Sequence, residues 1–266
     1  MPTALVTGAT AGLGAEFARA LAAAGQDLVL VARDTERVEA KAAELGARYG
    51  VRVEVLTADL ADRAQLDTVA HRLADRERPV DTLVNNAGFA RRTAFLADLA
   101  EEERAVDVML RAVLVLSHAA ARAMKEQGRG TIVNVASVAA FVAMGSYSAT
   151  KSWVVVFTEA LSRELAGTGV NISVVCPGFV HTEFHQRANL NMSRLPEWAW
   201  MDAERVVTEA LDGAAHGRVV VVPGRRYAVL VTALRHLPRG LVRRVSAALA
   251  ARRRRESKAP DGGPAR

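Results

Sequence analysis

Seven short apolar runs alternate with longer amphipathic stretches, and this rhythm constrains the fold more than any single residue. The strand candidates are Ala4–Thr7, Asp27–Val31, Arg52–Leu56, Thr82–Asn85, Thr131–Ala136, Asn171–Cys176 and Arg218–Val222. Helical periodicity fills 13–24, 35–49, 62–76, 101–127 and 148–166. Runs such as Leu28–Val31 and Val219–Val222 are apolar at every position, as expected of strands covered by helices on both faces. The expected fold is α/β: a Rossmann-like, doubly wound parallel sheet of about seven strands with right-handed crossovers. Half of the 266 residues are apolar and 5% aromatic, which suits one large domain with an aliphatic core. That domain is expected over 1–224, with an irregular stretch at about 183–204. A basic amphipathic helical extension over 225–255 and a disordered tail over 256–266 follow.

The first strand runs into Thr7-Gly8-Ala9-Thr10-Ala11-Gly12-Leu13-Gly14 and then a helix. Glycines there let the backbone turn tightly and approach a pyrophosphate, and the helix start offers free N–H groups and a positive dipole end. The placement between first strand and first helix points to a dinucleotide. At the end of the second strand stands Arg33, where an acid would accept hydrogen bonds from a ribose 2′-hydroxyl. Arginine instead offers a charged planar fork to a 2′-phosphate, with Arg37 one turn on, so NADP(H) is expected over NAD(H).

Tyr147 and Lys151 stand four apart at the start of a helical pattern and so share a face. A nearby ammonium favours phenolate and is expected to lower the tyrosine from its usual pKa of roughly 10. Such a phenol exchanges a proton with an alcohol or carbonyl oxygen, and Ser137 at the end of the fifth strand is placed to hydrogen-bond that oxygen.

Six motifs in order resemble the short-chain dehydrogenases/reductases over roughly residues 1–224. They are TGATAGLG at 7–14, Ala58-Asp59-Leu60, Asn85-Asn86-Ala87-Gly88, Asn134-Val135-Ala136-Ser137, Tyr147-Ser148-Ala149-Thr150-Lys151, and Cys176 to Thr182. The resemblance implies an NADP(H)-dependent oxidoreductase interconverting a carbonyl and an alcohol. Ser137, Tyr147 and Lys151 would be its catalytic residues, with Tyr147 as general acid/base. It also implies a cofactor site of Gly8, Thr10, Gly12, Leu13, Gly14, Arg33, Asp59 and Leu60 at the adenosine and pyrophosphate end. Asn86, Ala87 and Gly88 would run along the cofactor. Tyr147, Lys151, Pro177, Gly178, Val180 and Thr182 would surround the nicotinamide and its ribose. Pro177 and Gly178 also suit a turn on stereochemical grounds.

Two features depart from the family pattern. Met109 occupies the position, 28 residues before Ser137, where the family has an asparagine that helps hold a water joining the lysine to solvent. A thioether does not accept a hydrogen bond as an amide does. The interval from Ser137 to Tyr147 is ten residues, against about thirteen in the family, so the loop Val138–Ser146 is expected to be tight. Met109 motivates an alternative reading, a cofactor-binding regulatory or membrane-docked scaffold protein. Epimerase or dehydratase chemistry has little support.

After the Pro-Gly turn the family carries a lid over the substrate. Here Phe184, His185, Leu190, Met192, Leu195, Trp198, Trp200 and Met201 suggest a hydrophobic carbonyl compound, or a plain core or subunit contact. His181 and His185 read as structural, and no ligand spacing points to a metal.

Of 35 basic residues, ten are arginines within 225–255, where no acid occurs; the remainder stand at 25 basic against 29 acidic. The net charge of +6 thus belongs to the extension. Leu230, Leu234, Leu237, Leu241, Val245 and Leu249 alternate there with arginines, and Pro238 and Gly240 split the segment into two helical pieces. It suits an anionic membrane surface, or packing on the domain or a second subunit with Arg252–Arg255 solvated. Nucleic acid is not expected, since no aromatic platform interleaves the arginines. The resemblance implies a homodimer or homotetramer built on the helices at 101–127 and 148–166. A start without a basic n-region, no apolar run of roughly 18 residues and the single cysteine Cys176, read as a buried strand-end residue, lead to an expected cytoplasmic location.

Overall fold

A computed structural model defines the fold, and its described residues are 1–89, 95–182, 196–244 and 246–247. The chain opens with β1 (Thr3–Thr7), α1 (Gly12–Ala23), β2 (Asp27–Ala32), α2 (Thr35–Tyr49), β3 (Val53–Thr57), α3 (Arg63–Ala74) and β4 (Thr82–Asn85). Next come α4 (Leu99–Val106), a π turn (Asp107–Arg111), α5 (Ala112–Gln127), β5 (Gly130–Val135), a 3₁₀ turn (Val138–Phe141), α6 (Gly145–Glu164) and β6 (Val170–Val175). The rest is β7 (Phe179–Val180), a 3₁₀ turn (Glu197–Ala199), β8 (Trp200–Met201), α7 (Ala203–Ala215), β9 (Val220–Val221) and α8 (Arg225–His236).

The seven-stranded sheet runs β3-β2-β1-β4-β5-β6-β9 and every pairing is parallel. Parallel strands bury both faces, which is why all six residues of β2 are buried and why its run is apolar without alternation. Leu5, Leu28, Leu30, Leu83 and Ile132 are sealed from solvent. Each contributes about 1.5–3 kcal/mol to folding by area arguments. The chain leaves β1 towards β2 and later returns on its other side as β4. A crevice therefore opens at the carboxyl ends of β1 and β4, where ligands sit in sheets of this kind.

The sheet and the five helical stretches lie where the periodicity put them, with two additions. One is α7, capped by Asp202, whose side chain accepts from the Glu204 N–H, with Val206, Val207, Ala210 and Ala214 buried at helical spacing. The other is a two-stranded parallel pair: Phe179 registers with Trp200 and Val180 with Met201. Trp200 and Met201 thus belong to a strand, and of the expected lid residues only these two and Trp198 fall among the described ones. Phe184, His185, Leu190, Met192 and Leu195 lie outside the described residues. The His181 ring is stacked on that of Trp200 at 4.5 Å.

Among the described residues beyond Gly224, α8, 239–244 and 246–247 are helical. Leu237, extended ahead of Pro238, ends α8 as a pre-proline residue should. Val231 and Ser246 are buried, Ser246 accepting from the Ala143 N–H at 3.1 Å, and Arg235 pairs with Glu159. Val245, Leu249, Arg252–Arg255 and the tail from Glu256 lie outside the described residues.

Candidate active site

The glycine loop closes over the end of β1 because three of its neighbours hold it there. The Gly8 N–H donates to Val31 O at 2.8 Å. Asn86 Nδ2 donates to the carbonyls of Thr7 and Gly8 at 3.0 and 3.3 Å, while Thr7 Oγ1 accepts from the Asn86 and Ala87 N–H groups. A Cβ on Gly14 would stand 2.1 Å from Gly8 O and 2.4 Å from Asn86 Nδ2, so only glycine lets α1 start this close to the loop. Gly12, at φ +54°, faces Thr182, whose Cβ would lie 3.3 Å from a side chain there. The loop from β1 and the turn after β6 therefore meet, as the motif reading requires. The Leu13 side chain packs against the cluster of Val180, Met201 and Val206.

At the adenosine end, Arg33 is exposed and Arg37 Nη2 lies 3.5 Å from Thr10 O. Asp59 accepts from Arg104 Nη2 at 2.7 Å and from the Ala61 N–H at 3.0 Å. Burial pushes its carboxyl up, but the Arg104 hydrogen bond, the Ala61 N–H and the charges of Arg104 and Arg33 outweigh this. The net position is below the ordinary carboxylate range. Arg104, on α4, is a site neighbour that no local pattern flags. Leu60 is buried in the core beneath.

The proton-handling residues stand at the ends of β5 and α6. Ser137 caps the 3₁₀ turn by accepting from the Ala139 N–H, and its hydroxyl hydrogen-bonds the Tyr147 phenol. Tyr147 and Lys151 lie in the first two turns of α6. Lys151 Nζ donates to Val135 O at 2.8 Å and sits 5.8 Å from the Tyr147 ring centre. A buried chain braces this corner: Asn85 Nδ2 donates to Asn134 Oδ1 at 2.9 Å, and Asn134 Nδ2 donates to Thr158 Oγ1 at 3.0 Å. It ties β4, β5 and α6 together, which accounts for the two asparagines in the motifs.

Electrostatics here differ from the sequence expectation. Burial pushes the Tyr147 phenol up to about 12, against the opposing Ser137 hydrogen bond, and pulls Lys151 down to about 8. The lysine does not bring the phenol below its usual value, because both groups are desolvated and Nζ is turned to the Val135 carbonyl. At neutral pH the site holds a phenol and an ammonium, a pair set to donate protons. The ammonium is lost as pH rises past about 8. Cys176 is a buried strand-end residue, as read, and burial pushes its thiol up to about 12.

Residues 2–193 match the short chain dehydrogenase family. The chain belongs to that family. It is 36% identical over 191 residues to a 3-oxoacyl-[acyl-carrier-protein] reductase of Synechocystis sp., covering 70% of this chain and 77% of that protein. A short-chain dehydrogenase of Sphingobium yanoikuyae, solved in complex with NADPH, superimposes with a TM-score of 0.81 at 34% identity. That match covers 100% of this chain and 99% of the other. A bulky-bulky ketone specific alcohol dehydrogenase of Comamonas testosteroni gives 0.76 at 30% identity, over 100% and 97% of the two chains.

The two departures noted in the sequence have a clear place in the structure. Met109 is buried in the π turn and clusters with Val108 of that turn and Ala105 of α4, and Ala87, Phe89 and Tyr147 pack against this cluster. Its Sδ lies 3.3 Å from where a Gly88 Cβ would stand. The turn has π geometry, with the Ala112 N–H bonded to Asp107 O. Secondly, the shortened loop after Ser137 is a 3₁₀ turn, with Val138 N–H on Pro177 O at 3.0 Å. Sequence reasoning missed Tyr227, whose ring lies on Gly178, because a contact between positions 178 and 227 leaves no local pattern.

Proposed function

We propose that this short-chain dehydrogenase is an NADP(H)-dependent carbonyl reductase or alcohol dehydrogenase acting on a hydrophobic small molecule. The observation that carries the reading is the Ser137–Tyr147–Lys151 corner, half-buried at its serine and phenol and buried at its lysine, together with a glycine loop whose position 14 has no room for a Cβ. NADPH, when bound, supplies the hydride. In the reducing direction Tyr147 gives its phenolic proton to the carbonyl oxygen, and Ser137 donates a hydrogen bond to that oxygen as negative charge develops. The Lys151 ammonium favours phenolate once the proton has left. The alcohol direction runs the same transfers backwards. Keeping this trio intact speaks for turnover over the regulatory alternative.

Arg33 at the end of β2 and Arg37 against Thr10 support a 2′-phosphate, and so does the NADPH bound by the Sphingobium relative. Arg33→Asp is expected to raise the KM for NADPH at least about tenfold while that for NADH changes by less than about threefold. Equal effects on both would remove Arg33 from the cofactor site. The bulky ketones of the Comamonas relative favour a large apolar substrate.

Exposed Leu114 on α5 and Val156 on α6 support a homodimer or homotetramer. Among the described residues no helix is long and apolar enough to cross a membrane. A peripheral contact is supported by the outer side of the extension, where Val229, Leu230, Leu237 and Leu241 are exposed beside Arg225, Arg226, Arg239 and Arg243. Co-sedimentation with phosphatidylglycerol vesicles but not with phosphatidylcholine vesicles is the expected result; recovery in the supernatant with both removes the contact.

A further inference from the structure

Tyr227 stands in the first turn of α8, and its ring fills the space beside Gly178. A Cβ at 178 would lie 2.1 Å from the ring's Cζ. Gly178 is not among the positive-φ glycines, so its lack of a side chain serves the ring and not the turn's stereochemistry. The Tyr227 hydroxyl donates to Ala199 O at 2.5 Å and accepts from the Phe179 N–H at 3.2 Å. Phe179 opens β7 and Ala199 directly precedes β8, so one oxygen holds both strands of the small pair. Next along α8, Arg226 repeats the tie: its guanidinium lies 5.7 Å over the Trp198 ring and Nη1 donates to Trp198 O at 3.1 Å.

β7 leads within two residues to Thr182, which lies against Gly12 of the glycine loop. The placement of that threonine is therefore set by where β7 is held. Val180 is buried with Met201, Val206 and Tyr227, which makes the link from helix to turn continuous.

We propose that Tyr227 is a positioning residue for the cofactor: through it, the C-terminal helix fixes the turn Pro177–Thr182 at the nicotinamide end of the site. This rests on reading that turn as the nicotinamide end of an NADP(H) site. The extension is then a working part of the cofactor site, and its first turn is what the site requires of it.

The two ends of the ligand separate this role from plain stability. Tyr227→Phe keeps the ring on Gly178 and removes both hydrogen bonds. Binding of NADPH and of adenosine 2′,5′-bisphosphate, which lacks the nicotinamide half, is measured by calorimetry on the full chain, with the thermal midpoint followed in parallel. The expected result is an NADPH affinity about tenfold weaker, with the bisphosphate within about twofold of wild type. Gly178→Ala, which drives a Cβ into the ring from the other side, is expected to give the same pattern should Tyr227→Phe fail to fold. Unchanged NADPH affinity, or equal weakening of both ligands, overturns the proposal. A wild-type chain that binds neither ligand overturns it differently, by removing the cofactor reading beneath it.

Discussion

Tyr147→Phe lowers carbonyl turnover at least about 10³-fold and leaves NADPH affinity within about twofold of wild type. A positioned general acid contributes about 10²–10⁴-fold. The substitution is close to isosteric. The ring keeps its packing against Ala105, Val108 and Met109. Only the hydroxyl is lost, and with it the Ser137 hydrogen bond. Removing one such bond costs about 1 kcal/mol, so the fold survives and the loss is read as chemistry. Lys151 keeps its bond to Val135 O. NADPH oxidation with a ketone, beside a thermal melt, checks both halves. Turnover within about tenfold of wild type would mean that the proton comes from elsewhere.

Gly14→Val abolishes dinucleotide binding, with affinity at least about 100-fold weaker. A Cβ at 14 would stand 2.1 Å from Gly8 O, which is backbone and has no rotamer to escape into. The loop must lift, breaking the Asn86 hydrogen bonds to Thr7 O and Gly8 O that set its height. Overpacking of this kind also costs stability, about 1–3 kcal/mol. Gly25→Ala separates the two effects. Gly25 has φ +77° but nothing within 4 Å of its Cβ position, so it pays strain without touching the loop. It should melt lower and bind NADPH as wild type does. Retained binding in Gly14→Val would remove the glycine loop from the cofactor site.

The sheet was legible because both-face burial leaves a mark at every strand position, as in Leu28–Val31. The glycine loop and the Tyr147–Lys151 spacing were legible because they are local in sequence. α7 escaped because an irregular stretch precedes it, although Asp202 and the spacing of Val206, Ala210 and Ala214 were there to be read. β7 and β8 escaped because two-residue strands carry no periodicity. Arg104 on Asp59 and Tyr227 on Gly178 are pairings across 45 and 49 positions, which only the fold brings together. Spacing alone also misjudged the phenol: it put Lys151 near Tyr147 but could not say that burial would push the phenol up. Met109 was visible as a departure, and the structure adds that the thioether lies beside Gly88, in a cluster on which Tyr147 packs.

The most direct test follows the hydride itself. NADPH carrying deuterium at the transferable position is incubated with a bulky hydrophobic ketone, and the alcohol product is examined by mass spectrometry. The account predicts one deuterium on the carbinol carbon with the wild-type chain and essentially none with Tyr147→Phe. NADPH that binds while no ketone of the class gains label would contradict it.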